Sequence, residues 1–162
     1  METKQDKKIG FRCVLHGSFR KHFEEIKRIH RLFSQNGIEV LAPAMSEIKT
    51  RDGGFAVLAS DAGKDRRMTE LLYLHNLKRL GENGVSYFVN PEGYIGRSAS
   101  YELGIAQVSN VRCFFKDKPA DHPVYVQENA VIGPERLVEF IFENRKLPEP
   151  HVKRDERAIH KL

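Results

Sequence analysis

Glu102 is the residue best placed to do chemistry. It falls in NPEGYIGRSASYELGIA (residues 90–106), directly after the apolar run Tyr87, Phe88 and Val89. That run reads as a buried strand ending at the Asn90-Pro91 turn. Gly93 and Gly96 allow backbone angles and a close ligand approach that a β-carbon would resist, and Ser98 or Ser100 can cap the helix that follows. Glu102 then stands in the first turns of that helix, where unpaired N–H groups and the helix dipole favour negative charge. A carboxylate there can serve as a nucleophile. The same residues also fit a solvent-exposed glutamate completing a helix cap, and the local pattern leaves both open.

Such a carboxylate needs a scaffold that holds strand end, loop and helix start together. Residues 9–16 (IGFRCVLH) read as a first strand, closed by Gly17-Ser18. Phe19, Phe23, Ile26, Ile29 and Phe33 fall at helical spacing, which predicts an amphipathic helix over 20–35, stopped by Asn36-Gly37. Residues 38–42 give a second strand before Pro43. Strand, helix and strand in this order imply a parallel sheet with a right-handed crossover. Residues 44–65 contain Asp52-Gly53-Gly54 and a short apolar run at 55–59, and read as a loop over the site. Met68, Leu71, Leu72, His75 and residues 77–80 mark a second helix, followed by a strand at 86–89. After the Glu102 helix, residues 111–115 form a fourth strand, 124–127 a fifth, and 134–144 a last helix opened by Pro134. The loops at 17–21 and 90–98 thereby share the carboxyl edge of one sheet, where open α/β sheets bind ligands.

The expected organisation is a flexible segment at 1–8, one α/β domain over 9–147, and a polar tail at 148–162. A chain of 162 residues can bury a core without metal or disulfide support. Cys13 and Cys113 each lie inside an apolar run, as small core residues of a reduced, cytoplasmic protein do. No metal-ligand spacing occurs, and neither metal nor cofactor is expected. No segment approaches a membrane span, and METKQDKK lacks the apolar stretch of a signal peptide, so no membrane partner is expected. The formal charge of +5 suits an anionic ligand, but the basic residues are spread over helices and both ends, which argues against a nucleic-acid partner.

GSFR at 17–20 and NPEGYIGRSASYELGIA at 90–106, each behind a strand, together resemble the nucleoside 2-deoxyribosyltransferase superfamily, whose relatives include the 2'-deoxynucleoside 5'-phosphate N-hydrolases. The likeness covers residues 9–115. It implies a Rossmann-like (flavodoxin-like) three-layer sandwich around a mostly parallel sheet of about five strands, assembled as a homo-oligomer. It also implies that Glu102 is the nucleophile, that Gly17, Ser18 and Arg20 hold the sugar or a 5'-phosphate, and that Ser98 and Ser100 line the same pocket beside Gly93 and Gly96. The chemistry agrees. A helix start with free N–H groups and a nearby guanidinium suits phosphate, and a carboxylate beside the anomeric carbon stabilises an oxocarbenium-like state before bonding to it.

Two positions depart from the resemblance. The aspartate that contacts the base or assists its departure in many relatives falls at Asn76, whose amide cannot donate a proton as an acid. The tyrosine able to orient the glutamate falls at Val14. His75, Asp61, Asp65 and Tyr101 are substitutes to weigh, and His16, at the strand end, is better placed than these. The expected activity is N-glycosidic cleavage or transfer on a nucleoside or nucleoside 5'-monophosphate, through a covalent glycosyl intermediate on Glu102. The alternatives are a nucleotide-binding module of the same fold with weakened turnover, and a phosphoribohydrolase-like enzyme, although the P-G-G-x-G-T-x-x-E run of the latter is missing here.

Overall fold

The apolar run ahead of Ser18 becomes β1 (Phe11–Gly17) of a computed structural model that describes residues 10–44, 48–52, 55–58, 66–122 and 126–149. There follow α1 (Phe19–Gln35), β2 (Ile38–Ala42), β3 (Ile48–Asp52), β4 (Phe55–Leu58), α2 (Arg66–Arg79), β5 (Gly84–Val89), α3 (Arg97–Val108), β6 (Arg112–Phe115) and α4 (Pro134–Asn144). The expected segment at 1–8, residues 150–162 of the expected tail, and the candidates Asp61 and Asp65 lie outside the described residues.

Two-residue alternation along the strands divides the core into two layers. Phe11, Cys13 and Leu15 of β1, Val85, Tyr87 and Val89 of β5, and Phe114 of β6 pack with Ile26, Ile29 and Phe33 of α1 and Leu137 and Ile141 of α4. On the opposite face, Val14, Phe88, Cys113 and Phe115 pack with Tyr73 and Leu77 of α2 and Ala99, Leu103 and Ala106 of α3. Burial raises both cysteine thiols, that of Cys113 to about 12, so both behave as apolar core groups.

The result is a Rossmann-like α/β/α sandwich in which the four parallel strands run in the order β2-β1-β5-β6. The chain steps from β1 outward to β2, then returns past β1 to β5, so the strand order reverses between β1 and β5. That reversal opens a crevice at the carboxyl edge.

Two expectations need correction. The sheet has four described strands where about five were expected. Residues 124–125 of the expected fifth lie outside the described residues, and beyond β6 a single parallel bridge joins Phe115 to Val131. The loop expected over 44–65 holds an antiparallel pair, β3 with β4. The short strand expected at 55–59 is β4. Its partner IKTRD has too few apolar residues to announce a strand by alternation. Among the described residues, no helix is long and apolar enough to cross a membrane.

Candidate active site

The site begins with the register of β1 against β5, which pairs Val14 with Ser86 and His16 with Phe88. His16 therefore shares the face of Val14, two residues nearer the carboxyl edge. Its ring stacks on Phe88 with centroids 4.5 Å apart, and Tyr73 of α2 lies 5.8 Å away on another side. From α3 comes Glu102. Ala99, Glu102, Leu103 and Ala106 form the buried stripe of that helix, so a carboxylate fills a place where an apolar side chain would ordinarily sit.

His16 makes that burial tolerable. Its Nδ1 lies 2.5 Å from Glu102 Oε2, and its Nε2 lies 3.0 Å from Ser86 Oγ. Glu102 is 6% exposed, and His16 and Ser86 are wholly buried. Against a carboxylate, Nδ1–H donates, which leaves Nε2 of a neutral imidazole to accept the Ser86 hydroxyl proton. Both ring nitrogens are thus engaged, and the stacking on Phe88 holds the ring plane. Glu102 Oε1 has no hydrogen bond among the described residues. One carboxylate oxygen is fixed and the other is available to a ligand.

A second carboxyl group stands nearby. Glu70 is one turn ahead of Tyr73 in α2, and its Oε1 is closed to solvent with no hydrogen-bond partner among the described residues. Burial first, and then the charge of Glu102, push its carboxyl up to about 7.

The two loops frame this edge. Gly17 follows His16, and a β-carbon on it would come within 2.7 Å of the Val89 carbonyl oxygen, so the close passage of β1 against β5 requires glycine. Ser18 is the N-cap of α1, its Oγ accepting from Lys21 N–H at 3.3 Å. Arg20 is exposed, and no hydrogen bond joins Ser18 or Arg20 to Glu102 among the described residues. Lys21 Nζ sits 3.6 Å from the ring centroid of Tyr94, which ties the start of α1 to the loop before α3.

That second loop is closed in a way the sequence did not predict. Neither Ser98 nor Ser100 caps α3, because the N-cap position is Gly96, at φ 86°, a conformation glycine adopts without strain. Ser100 Oγ donates to Gly96 O at 2.7 Å, and Ser98 and Arg97 are exposed. The loop ahead of α3 is held from outside: Asp121 accepts from Ile95 N–H at 2.8 Å and Gly96 N–H at 2.9 Å. Burial opposes ionisation of Asp121, but these two N–H donors hold its carboxyl below its ordinary value. A β-carbon on Gly93 would lie 2.5 Å from Lys118 O, so its close approach is to the chain itself.

Asn76 is not brought to Glu102. Its Oδ1 accepts from Arg79 Nη1 at 3.2 Å, and the Arg79 carbonyl accepts from Arg12 at the opposite, amino end of β1. Six residues of helix, about 9 Å, separate it from Glu70. Val14 is a wholly buried core residue, and His16 takes the contact with Glu102. His75 and Tyr101 are exposed. Sequence reasoning missed Ser86 and Glu70. Ser86 reaches His16 through the register that pairs it with Val14, which no local pattern announces.

Comparison of the chain with protein-family models, with curated proteins and with solved structures gave no match in any of the three.

Proposed function

We propose that this chain cleaves the N-glycosidic bond of a nucleoside or nucleoside 5'-monophosphate, by hydrolysis or transfer, with Glu102 as nucleophile. The observation that carries this is the paired state of Glu102. At the strand-order reversal of a parallel sheet, one oxygen is held by a buried imidazole and the other has no hydrogen bond among the described residues. Glu102 Oε1 attacks C1' of the sugar as the base leaves, giving a glycosyl ester that water or a second base then opens. His16 and Ser86 act as positioning residues that aim the carboxylate. The first loop, with Gly17, Ser18 and Arg20, holds the sugar or its 5'-phosphate.

The substrate panel is ribo- and deoxyribonucleosides and their 5'-monophosphates, with free base as the readout. Wild type releases base from at least one member, and Glu102→Gln reduces release to background. Equal release by Glu102→Gln would remove Glu102 from its role, and no release from any member would overturn the proposal.

The working form is a homo-oligomer. Met68 and Leu71 on α2 and Tyr101 and Val108 on α3 are exposed apolar side chains on the two helices that carry Glu70 and Glu102, which supports pairing with a second copy.

A further inference from the structure

We propose that Glu70 is the catalytic acid that protonates the departing base, an assignment that rests on glycosidic cleavage through Glu102. Position comes first. Tyr73 donates to Leu15 O of β1 at 3.2 Å, and the Arg79 carbonyl meets Arg12, so α2 runs antiparallel to β1 with its amino end over the carboxyl edge. Glu70, Tyr73 and Leu77 follow one another at helical spacing, and Tyr73 and Leu77 are buried on the sheet side. The Tyr73 ring is already beside His16, so Glu70 lies one turn further toward the mouth of the crevice.

The second observation is chemical state. Glu70 is partly buried, and its Oε1 is closed to solvent with no hydrogen-bond partner among the described residues, an arrangement that disfavours the anion relative to the carboxylic acid. Among the described residues, Glu102 from α3 is a charged group close enough to act on it, with His16 of β1 behind Glu102 and Tyr73 on its own helix. Two neighbouring carboxyls do not both ionise readily, and the one that receives an imidazole N–H is the natural anion. The lift of Glu70 to about 7 places it where a general acid works at neutral pH.

In the first step the Glu70 proton moves to a ring nitrogen of the base as the C1'–N bond breaks and its electron pair goes to the base, while Glu102 Oε1 bonds to C1'. In the second, Glu70 carboxylate takes a proton from the attacking water, whose oxygen displaces Glu102 from C1'. Both carboxyls return to their starting states.

The test compares a natural nucleoside or nucleotide substrate with the corresponding 4-nitrophenyl 2-deoxyriboside, whose phenolate leaves without a proton. Glu70→Gln is expected to slow base release by about 10²- to 10⁴-fold while changing nitrophenolate release by less than about threefold, and Glu70→Asp to restore part of the lost rate. Equal loss on both substrates, or none on either, overturns the assignment while leaving Glu102 in place. Wild type releasing neither product overturns glycosidic cleavage and the assignment with it. A readout without substrate is thermal stability against pH. A carboxyl raised in the fold favours the folded state below its ordinary value of 4.5 and loses that contribution as pH rises through about 7. Wild type should therefore lose stability relative to Glu70→Gln between pH 5 and pH 8, and parallel curves would count against a protonated Glu70.

Discussion

Glu102 is held in the core by one imidazole, and the cost of removing that partner differs sharply from the cost of removing the next one along. His16→Ala leaves a carboxylate at 8% side-chain exposure without its hydrogen-bond donor, a loss of about 3 kcal/mol. Ser86→Ala removes one neutral hydrogen bond from the far nitrogen, a loss of about 1 kcal/mol. Urea titrations of the two variants are expected to show that order. The double variant of His16→Ala with Glu102→Gln should be markedly less destabilised than the sum of the singles, because the buried charge is then gone. Similar losses for His16→Ala and Ser86→Ala would mean that Glu102 is not an anion in the fold. At this scale the sequence was partly legible. Glu102 stood out as a charge at the head of a helix, and His16 as a polar residue closing an apolar strand. Ser86 did not, because a small hydroxyl in a strand pattern carries no mark of its partner. Glu70 was hidden because the resemblance placed the relatives' aspartate at Asn76, two turns further along the same helix.

The helix that carries Glu102 is stabilised at its start by a residue outside it. Asp121 supplies a carboxylate to two N–H groups just before α3, so Asp121→Ala should cost about 1 kcal/mol and leave the loop at 95–96 more open. The carboxyl is held below its ordinary value of 3.8, so its contribution is present above that pH and fades as pH falls through the lower, folded value. Thermal melts at neutral pH should separate wild type from Asp121→Ala, and the gap should close in strong acid. A gap that persists unchanged there would show that the aspartate acts by packing and not by charge. Elements with strong periodicity were legible to the residue: α4 spans the expected 134–144, and β2 the expected 38–42. The hold of Asp121 on the loop was not, because Ser98 and Ser100 offered a local cap and the contact that fixes the loop spans 25 residues. The β3–β4 pair was half visible, through the apolar run of β4.

At the scale of the whole molecule, the strand-order reversal and the two apolar layers explain why one face matters. Helices α1 and α4 close the face opposite the site, while α2 and α3, which carry Glu70 and Glu102, pack on the other face and turn their other sides outward. Those outer sides carry exposed apolar side chains. Val108 is 80% exposed and Tyr101 57%, on α3, with Met68 and Leu71 about half exposed on α2. Placing a second copy against this surface buries side chains that contribute nothing to the monomer's core, and a two-fold arrangement would use the same residues from both partners. Sedimentation velocity at tens of micromolar is expected to give a species of twice the chain mass or larger. Tyr101→Glu combined with Val108→Glu should shift it to the monomer, because each carboxylate would be driven into an apolar contact, while the exposed sites leave the fold of the single chain intact. Tyr101 is next to Glu102 in sequence, so loss of assembly should also lower base release, and restoring activity by raising protein concentration would tie the two together. A wild-type monomer across that range would overturn the assembly and leave the chemistry at Glu102 to be judged on its own.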